Sequence, residues 1–185
     1  MNKNILLTGE PGCGKTTLIQ RALTRLPQSA GGFYTEELRS GGVRQGFCMV
    51  TLDGERAVLA HRDYAGPPRV GRYGVDMAAL DAVAVTSIRR ALTSCALVII
   101  DEIGPMELFS PAFRAAVQEA LDSPTVVLGT IVRRSKPFSD AVKARPDVTL
   151  IEVTPANRDR LLDHIVALVT AALTGNILPP GEITS

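Results

Sequence analysis

Tryptophan is absent, and the 185 residues hold only three tyrosines and five phenylalanines. That leaves little material for a surface that stacks nucleic-acid bases. An excess of one charge is missing too: 20 Lys and Arg face 19 Asp and Glu, a formal net charge of +1. No whole-molecule field gathers nucleic acid or anionic membrane, so any anion must be held by a local site. Cys13, Cys48 and Cys95 are odd in number and far apart. Their spacing fits neither a disulfide framework nor a zinc site, and reduced thiols in a cytoplasmic chain are the expectation. The two histidines, His61 and His164, lack metal-ligand spacing and read as structural. No run approaches the roughly 18 to 20 apolar residues of a membrane helix. Between Lys3-Asn4 and Thr8-Gly9 stand only Ile5-Leu6-Leu7, too few for a signal-peptide core. No membrane partner is expected, and the sequence names no protein partner.

What remains is 45% hydrophobic and 21% charged, the balance of a globular chain. The length suits one domain over 1–185 with a loose tail from about 175. Short apolar runs alternate with helical patterns, the signature of a parallel sheet built from crossover units. Ile5–Thr8 is the first such run. It is followed by a glycine-rich turn and an amphipathic helix from Lys15 to about Arg25, closed by Pro27. Residues 32–75 break the alternation with strands Gly32–Glu37, Gln45–Leu52 and Arg56–His61. Ser40-Gly41-Gly42 and Asp53-Gly54 turn them back, so an antiparallel insertion is predicted, ending irregularly at Gly66-Pro67-Pro68-Arg69. A helix over about 77–93 then leads to the run Ala96–Ile100. Ser110-Pro111 and Thr154-Pro155 each place a cap before a first-turn proline, opening helices to about Asp122 and Leu173. Strand Thr125–Thr130, a loop and short helix over 132–144, and strand Val148–Val153 lie between them.

Gly9-Glu10-Pro11-Gly12-Cys13-Gly14-Lys15-Thr16 matches the phosphate-binding pattern G-x-x-x-x-G-K-[ST]. Glycines allow backbone angles that turn successive N–H groups inward, and the following helix N-terminus adds its dipole. Lys15 reaches the terminal phosphates, and the Thr16 hydroxyl is a magnesium ligand. The match stands between a predicted strand and a predicted helix, where the mechanism needs it. Cys13 within the loop reads either as a redox group or as a small residue at a variable position.

Asp101 and Glu102 follow the apolar run Leu97–Ile100. Carboxylates at the C-terminal end of a central parallel strand lie where open α/β sheets bind ligands. Asp101 is assigned to the magnesium shell and Glu102 to the attacking water. Asp101-Glu102-Ile103-Gly104 also parses as D-x-x-G, the form of GTP-dependent switches, but the guanine-reading N-K-x-D segment is absent. The adjacent glutamate points instead to P-loop proteins that hydrolyse triphosphates with a strand-borne carboxylate.

Gly9–Thr17, Gly32-Phe33-Tyr34-Thr35-Glu36-Glu37, Gly46-Phe47, Asp101–Leu108 and Asn157-Arg158 together resemble the small nucleoside-triphosphatase family of archaea, some bacteria and animals, whose human member is called cancer-related nucleoside triphosphatase. The resemblance spans about residues 3–170. It implies a Rossmann-like P-loop NTPase fold, α/β, with a mostly parallel sheet, helices on both faces and the antiparallel insertion. It also implies magnesium-dependent hydrolysis of several nucleoside triphosphates to diphosphate and phosphate. By position, the nucleotide-contacting residues it implies are Gly9 to Thr16 together with Val98, Ile99, Ile100, Asp101, Glu102, Ile103, Gly104 and Pro105.

Phosphoryl transfer builds negative charge that a second cation stabilises. Arg133, Arg134 and Lys136 are candidates for a lid over the phosphates, against a plain solvated loop. Thr130, at a strand end, is a candidate sensor of the terminal phosphate. Glu107 either assists Glu102 or approaches the N-terminus of the helix opened by Ser110. Asn157 and Arg158 are candidates for a base contact, or an exposed helix start. The reading is a triphosphate hydrolase using Lys15, Thr16, Asp101 and Glu102, with loose base preference. The rivals are a kinase holding its acceptor with Arg62, Arg69 and Arg72, and a regulatory module timed by slow hydrolysis.

Overall fold

A computed structural model describes residues 2–26 and 29–175. Pro27 and the Pro179-Pro180-Gly181 tail lie outside the described residues. Strand β1 (Asn4–Thr8) forms where the sequence predicts it, and the loop after it leads into α1 (Lys15–Leu23), two residues shorter than expected. Then come β2 (Ala30–Ser40), β3 (Val43–Thr51), β4 (Arg56–His61), β5 (Arg69–Val70) and β6 (Tyr73–Val75). The last two correct the expectation of an irregular end to the insertion. They are two and three residues long, joined across Gly71-Arg72, too brief for any alternating pattern to register.

The predicted helix over 77–93 is composite: α2 (Met77–Ala79), a wider π-helical stretch (Leu80–Val85), and α3 (Thr86–Ser94). Val83, Ala84 and Val85 are all buried there, three in a row, which a 3.6-residue spacing does not encode. After β7 (Leu97–Ile103) and one 3₁₀ turn (Glu107–Phe109), Ser110 caps α4 (Pro111–Asp122) by accepting the Phe113 N–H at 2.9 Å. Next are β8 (Val126–Ile131), α5 (Pro137–Lys143), β9 (Val148–Glu152) and α6 (Arg158–Thr174). The final helix starts three residues after the predicted Pro155. Thr154 and Asn157 close a turn on each other instead: the Thr154 N–H reaches Asn157 Oδ1 at 2.8 Å and the Asn157 N–H reaches Thr154 Oγ1 at 3.3 Å.

The strands form one sheet in the order β5-β6-β4-β3-β2-β7-β8-β1-β9. β2, β7, β8, β1 and β9 pair in parallel, and the insertion continues the same sheet antiparallel from β2. Alternation along the parallel strands sends Ile5, Leu7, Leu97, Ile99 and Leu128 to one face, against Leu18, Ile19, Ile165 and Val169 of α1 and α6. Leu6, Val98, Ile100 and Val127 point to the other, against Ile88, Phe113, Val117 and Leu121 of α3 and α4. Each fully buried aliphatic side chain contributes about 1.5–3 kcal/mol, which fixes the strands' facing. Strand β8 lies between β1 and β7, so it sets the lateral spacing between the phosphate loop and the acidic strand end. Among the described residues, no helix is long and apolar enough to cross a membrane.

Candidate active site

The loop from Gly9 to Thr16 wraps the C-terminal end of β1 and runs into α1. Gly14 takes φ +103°, a left-handed angle that admits glycine readily, and so turns the chain into the helix. A side chain at Gly9 would collide with the Val153 carbonyl oxygen, so the loop can sit against the end of β9 only with glycine there. Cys13 is buried beneath the loop, while Glu10, Pro11 and Gly12 are exposed. The Lys15 side chain folds back over this concavity: its Nζ donates to the carbonyls of Gly9 at 3.0 Å and Glu10 at 3.1 Å. An ammonium held only by two neutral carbonyls keeps its charge available for an anion in the cradle.

Asp101 is the centre of a second cluster. Its Oδ2 accepts the Thr16 hydroxyl at 2.7 Å and its Oδ1 accepts the Thr130 hydroxyl at 2.5 Å. The main-chain N–H of Thr35 donates to it as well. Sequence reasoning gave Thr35 no role, because a backbone donor leaves no residue-type signal. Asp101 is 1% exposed. Burial pushes its carboxyl up from the ordinary range, against the pull of the Thr130 and Thr16 hydroxyls, the Thr35 N–H and the Lys15 charge.

Glu102 and Asp101 lie within β7 itself, not after it. Ile100 pairs with Gly129 and Ile103 with Ile131, so two residues of β7, Asp101 and Glu102, lie opposite one of β8, Thr130. This bulge re-aims the strand end and leaves Glu102 half-buried at its lip. Burial raises the Glu102 carboxyl first and the Asp101 charge raises it further, while Lys15 lowers it. Thus the loop lysine, the Thr16 hydroxyl and both carboxyls converge at the C-terminal ends of β1, β8 and β7.

A family model for NTPases matches residues 4–166. The chain belongs to this NTPase family. It is 48% identical over 165 residues to the nucleoside-triphosphatase THEP1 of Thermotoga sp. (strain RQ2), covering 89% of this chain and 94% of that one. It is 43% identical over 188 residues to the human cancer-related nucleoside-triphosphatase, covering 93% and 99%. The crystal structure of THEP1 from the hyperthermophile Aquifex aeolicus superposes with a TM-score of 0.83 at 38% identity, over 90% of this chain and 98% of that one. The P-loop NTPase fold expected of the family is the fold observed.

Around this NTPase site the remaining candidates separate. Val98, Ile99, Ile100 and Ile103 are 0% exposed, with side chains in the two cores, while Gly104 and Pro105 continue past the strand end. Arg133 Nη1 reaches Glu10 Oε1 on the phosphate loop at 2.6 Å and also faces Glu152 at 3.6 Å. Arg134 and Lys136 are exposed, and neither side chain bonds the loop among the described residues. Arg158 lies across Gly14, its Cδ 3.3 Å from where a Cβ would stand. Asn157 is committed to its own turn, its Nδ2 donating to Glu152 O at 3.0 Å. Glu107 is buried, and its carboxyl and that of Glu102 flank Gly104.

Arg62, Arg69 and Arg72 are not brought to the loop. Arg69 donates to the carbonyls of Tyr64 and Arg72, Arg72 to the Tyr73 hydroxyl at 3.1 Å, and Arg62 faces Asp63 at 3.4 Å. Five strands separate β6 from β1, roughly 30 Å of sheet at about 4.8 Å per strand step. An acceptor held by these arginines would be out of reach of the loop.

Proposed function

We propose that the chain, as one domain, hydrolyses nucleoside 5'-triphosphates to diphosphate and phosphate with magnesium. The observation that carries the reading is the convergence of Lys15 and Thr16, from the start of α1, with Asp101 and Glu102, from the end of β7, beside the glycine-rich loop. Inward N–H groups and the α1 N-terminus suit a polyphosphate tail. Lys15 exchanges its two carbonyl partners for phosphate oxygens. A hydroxyl and a carboxylate are hard oxygen donors, the ligand type that magnesium prefers, so Thr16 and Asp101 would hold the ion. When bound, it would supply charge neutralisation on the phosphates. Thr130 keeps Asp101 turned toward Thr16.

No hydroxyl, amide or cationic side chain donates to Glu102 among the described residues, unlike Asp101, and it stands at the lip of the site. It orients and deprotonates the attacking water, a task its raised carboxyl suits better than an ordinary one. Base preference is loose, because the side chain nearest the helix entrance is Arg158, whose guanidinium plane stacks on any base.

Phosphate release from ATP, GTP, CTP and UTP tests this. All four are cleaved by the wild-type chain with magnesium. Lys15→Ala loses about 100-fold or more of the rate. Release by Lys15→Ala at the wild-type rate sinks the assignment.

A further inference from the structure

Glu107 is 4% exposed, and no cation pairs with it among the described residues. Its partners are two main-chain N–H groups, its own and that of Gly104. Across Gly104 stands Glu102. A Cβ built on Gly104 would meet Glu107 Oε2 at 2.9 Å and Glu102 Oε1 at 3.0 Å, so the two carboxyls flank one bare Cα. Two ionised carboxylates in such a place repel and lose hydration, so the pair holds a proton. The donor inventory decides where. Asp101 has two hydroxyls and an N–H. Glu102 opens to solvent and feels Lys15. Glu107 has neither solvent nor a cation.

We infer that Glu107 is a positioning residue for triphosphate cleavage: its neutral carboxyl donates a hydrogen bond to Glu102 and fixes the oxygen that addresses the attacking water. This rests on the hydrolase reading above. Gly104 is part of the device, because only a residue without a Cβ lets the carboxyls approach. The surroundings agree. Burial and then the Glu102 charge push the Glu107 carboxyl up to about 8, with Asp101 adding to the rise and the two N–H groups opposing it. The other charged groups nearby are engaged elsewhere: Arg114 of α4 donates to the Leu108 carbonyl at 2.6 Å, and Asp81 accepts the Ser110 hydroxyl.

The test compares wild type, Glu107→Gln and Glu107→Leu by phosphate release across about pH 6 to about pH 10. Infrared spectra of the ligand-free proteins over the same range give a second readout. Glutamine keeps a neutral donor of the same size. It should hold the rate at neutral pH within about 3-fold, whereas leucine loses about 30-fold or more, chiefly in kcat. Wild type should lose rate as pH rises through the Glu107 ionisation, and Glu107→Gln should lack that limb. The infrared band of a protonated carboxyl should fade over the same range in wild type and be missing in Glu107→Gln. An alkaline limb that persists in Glu107→Gln, or a glutamine variant as slow as leucine, overturns the inference. If wild type releases phosphate but shows no such band, the inference is overturned while the hydrolase reading stands. If the band is present and wild type releases no phosphate, the hydrolase reading fails and the inference with it.

Discussion

The Thr16 hydroxyl donates to Asp101 Oδ2 at 2.7 Å, tying the end of the phosphate loop to a carboxyl 85 positions further along the chain. These are the two side chains proposed to hold magnesium, and their hydrogen bond keeps the two oxygen donors adjacent, as a shared hard cation would need them.

Asp101→Asn should remove magnesium-dependent turnover by about 100-fold or more, because a neutral amide is a weaker ligand for a hard cation and a poorer acceptor for two hydroxyls. Thr130→Ala removes one of those hydroxyls without touching the ligand set. A loss of about 3- to 10-fold is expected, mostly as a higher magnesium requirement. Magnesium titrations of phosphate release separate the two outcomes. Chelation by EDTA should stop the wild-type reaction and added magnesium should restore it.

Glu10 places a carboxylate within the loop proposed to hold a triphosphate, and Arg133 covers it at 2.6 Å. Both side chains are more than half exposed, so the pair contributes little to stability. Its effect is on binding. Glu10→Gln should tighten nucleotide roughly 3-fold at low salt and less at high salt, as screening grows. Arg133→Ala should weaken binding, and by less in the Glu10→Gln background if neutralising Glu10 is its main task. Calorimetric titration of the four variants with a non-hydrolysable triphosphate measures the coupling.

The site was legible in the sequence wherever a residue type is demanded. Gly9, Gly14, Lys15 and Thr16 announce the loop through their spacing, and Asp101-Glu102 stand out because charge interrupts an apolar strand. The short strands β5 and β6, the widened turn over Leu80–Val85 and the bulge in β7 were not legible. Each depends on backbone geometry set by distant packing, and any residue can serve. The same holds for the Thr35 N–H. The Arg133 contact with Glu10 was half visible: the basic loop could be read, but which of its three cations reaches the phosphate loop depends on where β8 ends. Ser110-Pro111 and Thr154-Pro155 look alike in sequence. Only the first opens a helix at its proline, because Asn157 bonds back to Thr154 and diverts the second into a turn.

Ser110→Ala removes the cap of α4 and the hydroxyl that bonds Asp81 on the π-helical stretch. The site is fully buried, so the loss should reach about 1–2 kcal/mol, read as a lower denaturant midpoint with unchanged m-value. Phosphate release by the folded fraction should be unaltered.

Asp147 accepts two bonds from Arg145, at 2.8 and 2.7 Å, and one from Asn4 at the start of β1 at 3.0 Å. The Arg145 hydrogen bond holds its carboxyl below the ordinary value. A depressed folded-state value means that its stabilisation is present above the unfolded value of about 3.9 and is lost as pH falls through the folded one. Asp147→Asn should therefore cost about 1–2 kcal/mol at neutral pH and almost nothing once the wild-type carboxyl is protonated. Denaturant unfolding at several pH values checks the sign.

One loop is proposed to seat the triphosphate and a separate carboxylate to prime the water. Glu102→Gln separates the two directly when nucleotide binding and single-turnover phosphate release are measured on the same preparation. Binding should stay within about 3-fold of wild type, with cleavage slowed about 100-fold or more. Cleavage at the wild-type rate by Glu102→Gln would contradict the proposal.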